Sequence, residues 1–189
     1  NVALGHNTLS ANTTGAGNLG LGYQVLASNT TANYNTGVGY NAMNANTTGT
    51  ENVSVGAFAL DANTTASNNV AVGKSALSAN TTGASNVGVG KDALLANTTG
   101  SNHTAVGLGA LAAVTTGAHL TAFGRSALGS NTTGTENTAL GAYCGDAITT
   151  GVQNTAVGYG ALSEATTGNR NVAVGSFALD AVTTTHYNI

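Results

Sequence analysis

The chain has 189 residues, of which 41% are hydrophobic and only 6% charged, with a net charge of −3 and four Lys and Arg in all. That balance is too apolar for a disordered chain, and Gly or a polar residue interrupts every apolar run, so no segment reads as a membrane span and none is expected to insert. So few cations leave no electrostatic footprint for nucleic acid or an anionic membrane, and neither is expected as a partner.

From Asn1 onward the sequence repeats every 17 residues without an insertion or deletion, giving eleven copies, and Asn188-Ile189 open a twelfth. Register kept this strictly marks a stack of equivalent rungs, because a globular domain with loops of differing length would lose phase. Residues 1–189 therefore read as one repetitive domain. Starting without Met and stopping within a repeat, it is expected to be an uncapped fragment of a longer fibre. The copies follow Asn-(Val/Thr)-Ala-Val-Gly-x-x-Ala-Leu-x-x-Asn-Thr-Thr-Gly-x-x, and these positions are numbered as columns 1 to 17.

Columns 1 to 5 alternate polar, β-branched, small, β-branched, Gly, which predicts a short strand. Columns 2 and 4 are expected to face the core. Column 4 is apolar in every copy, and Leu4, Leu21, Val38, Val55, Val72, Val89, Val106, Leu140, Val157 and Val174 form the first expected core ladder. Column 5 is Gly throughout, from Gly5 to Gly175. Successive rungs run the same way, so their strands pair in parallel at roughly 4.8 Å, and the stack is a rod about 50 Å long. The predicted fold is all-β, a parallel β-solenoid (β-roll) of eleven 17-residue coils.

Columns 6 and 7 vary and carry an aromatic and basic stripe of Tyr23, Tyr40, Phe58, Lys74, Lys91, Arg125, Tyr143, Tyr159 and Phe177. Aromatics with Arg are the residues a contact surface favours, so the stripe is the candidate partner surface, against the plainer reading of exposed positions free to vary. Columns 8 and 9 are an Ala-Leu pair, and Leu9, Leu26, Leu60, Leu77, Leu94 and Leu111 complete the expected core ladder. Neighbours in extended chain point to opposite faces. Unless a bend separates them, one of the two columns leaves the coil interior, and side-by-side self-association is the expected cover for it. Cys144 occupies column 8 and reads as a small buried side chain.

Columns 12 to 15 are turn chemistry, Asn-Thr-Thr-Gly, that closes each coil. Asn12, Asn29 and Asn46 are also glycosylation acceptors by pattern. Val114, Ile148, Ala165 and Val182 fill the same column in other rungs, which favours a half-buried corner over a sugar site. Column 1 is Asn except at His103 and Leu120, and amides stacked at rung spacing are expected to bond one another along the rod.

Asn154 to Gly158, Asn69 to Gly73, Asn171 to Gly175 and Asn137 to Gly141 read Asn-(Thr/Val)-Ala-(Val/Leu)-Gly. These motifs resemble the head repeats of trimeric autotransporter adhesins and similar repeats in bacteriophage tail fibres, over the whole chain. The resemblance implies a left-handed roll, three chains packed around one axis, and attachment to a host receptor, glycan or matrix protein from an extracellular, cell-surface or virion location. In that family the apolar motif positions fill cores within and between chains, which would be columns 2 and 4 here. The rung is 17 residues, where the adhesin head repeat is typically shorter, and residues 1–189 themselves contain no neck, stalk or anchor segment.

Catalysis needs a local constellation in a cleft, and near-identical rungs without protruding loops offer none, so the chain is read as non-enzymatic, without cofactor or metal. His103 and His119 fall on successive rungs but have no Cys or carboxylate at ligand spacing. The expected function is a structural, adhesive fibre segment, most simply a homotrimer. A self-assembling filament of solenoids stacked end to end is the alternative, and an ice-binding solenoid, suggested by the paired Thr columns, is a minor one.

Overall fold

A computed structural model describes residues 1–189 and contains eleven short strands and no helix. The strands are β1 (Val2–Leu4), β2 (Leu19–Tyr23), β3 (Thr36–Tyr40), β4 (Val53–Val55), β5 (Val70–Val72), β6 (Val87–Val89), β7 (Thr104–Val106), β8 (Thr121–Phe123), β9 (Thr138–Leu140), β10 (Thr155–Val157) and β11 (Val172–Val174). They make a single 11-stranded sheet in sequence order, every neighbour parallel. Each pairing joins equivalent columns of consecutive rungs, as in Val2 with Leu19, Val70 with Val87 and Thr155 with Val172. The chain is a parallel β-solenoid, the arrangement a fixed period demands when each rung must hydrogen-bond to an identical neighbour.

Two devices bend each rung. Column 5 sits at φ between 130° and 142° wherever the next rung follows, from Gly5 to Gly158. That region is open only to glycine, and a Cβ on Gly90 would lie 2.4 Å from the carbonyl oxygen of Gly107. Columns 7, 9 and 17 take left-handed backbone with ordinary side chains, for example Phe58 (φ 59), Leu60 (φ 50) and Glu51 (φ 59). Leucine seldom adopts this conformation. Here Leu60 is held by its N–H, which donates to the Ala76 carbonyl at 3.0 Å, and by complete burial of its side chain. The bend at column 9 lets both apolar neighbours turn inward, so Ala59 and Leu60, Ala76 and Leu77, and Ala93 and Leu94 are all buried in one core cluster.

The strand faces the other way from the sequence expectation. Column 3 is inside, with Ala71, Ala105, Ala122 and Ala139 fully buried, and Ser54 likewise. Column 4 is outside: Leu4, Leu21, Val55, Leu140 and Val174 are exposed, while Val38, Val72, Val89, Val106 and Val157 are half-exposed. None of these ten belongs to the core cluster, which does contain Leu9, Leu26, Leu60, Leu77, Leu94 and Leu111. The reason is volume. One leucine per rung nearly fills the coil, so the facing column has room only for Ala, Gly or Ser. At Gly37 a Cβ would already be 2.5 Å from Cγ1 of Val25, and at Gly88 3.5 Å from Cδ1 of Leu77.

Amide ladders line the rest of the interior. Each column 1 Asn donates its Nδ2 to the column 15 carbonyl of its own rung and accepts the column 1 N–H of the next, as Asn69 does with Gly83 (3.0 Å) and Asn86 (2.9 Å). Column 12 Asn side chains chain directly, Asn63 donating to Asn46 Oδ1 at 2.8 Å and Asn80 to Asn63 Oδ1 at 3.1 Å. Both ladders break in the same stretch. His103 keeps only half the clip, its Nδ1 accepting the Leu120 N–H at 3.3 Å, and Val114 interrupts column 12. Four buried atoms there lack partners: Asn97 Oδ1, His103 Nε2, and both Nδ2 and Oδ1 of Asn131.

Candidate functional surface

With columns 1, 3, 8, 9, 12 and 15 turned inward, function falls to the outward columns. The broadest outward surface is the sheet itself, two files of side chains from columns 2 and 4 spaced by the strand step of roughly 4.8 Å along the rod. One file is Val, Leu or Thr, and the other is always apolar. Val55 is 38% exposed, Leu140 39% and Phe123 43%, and neither file carries a charge. Sequence reasoning missed this surface because hydrophobicity alone assigned it to the core. The signal that finds it is the small side chain in column 3, which marks the tight side of the strand.

The column 6 and 7 stripe is assembled into contiguous groups. His6 and Tyr23 stack at 5.0 Å between ring centroids, Tyr23 and Tyr40 at 5.1 Å, and Phe58 meets Tyr40 edge-on at 5.3 Å. At the other end Arg125 lies over Tyr143 at 5.4 Å, Tyr143 meets Tyr159 at 5.9 Å, and Tyr159 meets Phe177 at 5.3 Å, both edge-on. Between the two aromatic groups stand Lys74 and Lys91, both exposed. Lys91 has Asp92 beside it at 3.5 Å, and Lys74 has no ion-pair partner. Rung stacking builds these groups, since equivalent columns of consecutive coils are strand neighbours, with His6, Tyr23 and Tyr40 meeting face to face and the other ring pairs edge to face.

The remaining candidates resolve into structural roles. Column 13 hydroxyls are used by the backbone, each donating to the carbonyl of the next rung's column 13, as Thr47 to Thr64 at 3.0 Å. Column 14 Thr is exposed in every rung, but as a single file, and the Thr of column 2 lie five residues further along the coil beyond the left-handed turn at column 17. The Asn of the Asn-Thr-Thr acceptors is fully buried in Asn29, Asn46, Asn63, Asn80, Asn97 and Asn131, so a closed coil withholds these amides from a glycosylating enzyme. His103 is buried and His119 exposed, and no cluster of three metal-ligating side chains forms. Burial pushes the Cys144 thiol up to about 11 and the His103 imidazole down to about 4. No pocket opens anywhere on the rod.

Comparison with protein-family models, with curated proteins and with solved structures finds no match.

Proposed function

We propose that this chain is a structural and adhesive fibre segment, held outside the cell or on a virion, in which three copies pack their sheet faces around a common axis. The observation that carries the reading is the uncharged, largely apolar face of columns 2 and 4, exposed or half-exposed along the full stack of strands. An isolated soluble chain seldom leaves so long an apolar surface bare. Measured over strand columns 2 to 4 and along all the rungs, the face covers about 500 Å² in plan. That is of the order of the roughly 800 Å² each partner gives to a stable interface. The cations and aromatics of columns 6 and 7 border it as a polar rim borders an apolar interface centre. The motif resemblance adds the number three.

Light scattering on the purified chain tests the reading. A discrete trimer is expected, and Val72→Lys combined with Val89→Lys should give monomers with an unchanged circular dichroism spectrum, because both side chains point away from the coil interior. A wild-type chain that stays monomeric overturns the proposal. Mass that grows continuously with concentration overturns it in favour of an end-to-end polymer.

A further inference from the structure

Charge on this chain is segregated by column. Three of the four cations, Lys74, Lys91 and Arg125, occupy column 6, and the fourth, Arg170, is tied into an axial chain in which its Nε donates to Gln153 Oε1 at 2.8 Å. Six of the seven acidic residues lie elsewhere: Glu51 and Glu136 in column 17, Asp61, Asp146 and Asp180 in column 10, and Glu164 in column 11. Asp92 alone shares the stripe and offsets part of the Lys91 charge. The protein is acidic overall, yet one line along the rod is basic.

The spacing of that line is set by the fold. Lys74 and Lys91 are one rung apart, and Lys91 and Arg125 two rungs. An extended polysaccharide advances by the length of one sugar ring per unit, which is of the same order as the roughly 4.8 Å rung step. A glycan with one anionic group per sugar would therefore pass Lys74, Lys91 and Arg125 at the first, second and fourth of four successive rungs. Tyr23, Tyr40 and Tyr159 are exposed enough to offer hydroxyls to sugar oxygens. A straight file without a pocket suits a linear chain lying along the rod and not a folded head group.

We infer that the column 6 stripe centred on Lys74, Lys91 and Arg125 binds an extended anionic polysaccharide, of uronate or sulfate type, aligned with the solenoid axis. The inference rests on the attachment reading above and names the ligand class for it, but it does not depend on the number of chains in the fibre.

The test is retention of the purified wild-type protein on immobilised alginate, dextran sulfate and neutral dextran at rising salt, with oligomeric state followed by light scattering. Binding to alginate, dextran sulfate or both, absent on neutral dextran and lost as salt rises, is the expected result, and the two anionic columns separate carboxylate from sulfate recognition. Lys74→Ala, Lys91→Ala and Arg125→Ala together should weaken that binding by about tenfold or more. All three side chains are exposed, and the circular dichroism spectrum should stay the same. No retention on either polyanion overturns the inference, as does retention that the triple variant leaves unchanged. A trimer that fails to bind sinks the ligand class alone, whereas a monomer that binds sinks the fibre reading alone.

Discussion

His103 is the one titratable side chain inside the column 1 ladder, and acid should find it. Burial disfavours the charged imidazole and brings it from 6.5 down to about 4, with the Gly117 carbonyl opposing the shift and His119 adding to it. Because the folded value is depressed, an opened rung takes up a proton below pH 6.5 that the closed rung refuses until about pH 4. Stability is therefore constant above about pH 6.5 and falls between there and about pH 4, by about 3 kcal/mol in total at 1.36 kcal/mol per pH unit. Most of it, about 2.5 kcal/mol, is already lost at about pH 4.5. In a stacked repeat that loss is local to the rungs concerned. Amide hydrogen exchange at Leu120, whose N–H donates to His103 Nδ1, is the direct readout. His103→Asn serves as reference, since Asn restores the clip that every intact rung uses and does not titrate. At equal pH the intrinsic exchange rates cancel, so the wild-type to variant ratio at Leu120 should rise by about 60-fold between pH 7 and pH 4.5. The carboxyls of Asp61 and Asp146, both raised by burial, titrate alike in the two proteins and drop out of the ratio. A ratio that changes less than about threefold refutes the buried, neutral His103.

Gly90→Ala should cost at least about 3 kcal/mol in denaturant unfolding, since it combines a glycine-only φ of 134° with a Cβ driven into the Gly107 carbonyl. Val114→Asn should do the opposite and raise stability by about 1–3 kcal/mol, because a side-chain amide there can donate to the orphaned Asn97 Oδ1 and accept from Asn131 Nδ2. Equal or lower stability would show that the apolar contacts of Val114 outweigh the repaired ladder. Cys144, buried and pushed up to about 11, should resist alkylation at pH 8 in the folded protein and react at once in denaturant, as mass spectrometry can follow.

The candidate surface was only half legible. The stripe from Tyr23 to Phe177 stands out in the sequence because columns 6 and 7 vary where their neighbours do not, and its residues do form contiguous groups. The apolar sheet face was read as core, since Val55 and Val72 look no different in sequence from a buried ladder.

What the sequence determines by itself is the one-dimensional order of this protein. An unbroken 17-residue period forces equivalent columns onto neighbouring strands, and with that come the parallel sheet, the amide ladders and the axial files of side chains. Alternation also shows that columns 2 and 4 share one face and columns 1 and 3 the other. Which face is inside lies beyond alternation, because a one-residue pattern is the same seen from either side. Only the closed coil decides it. Once the left-handed bend at column 9 swings a leucine into the narrow interior, the space left opposite admits Ala, Gly or Ser, and the larger valines and leucines are turned out to form the surface.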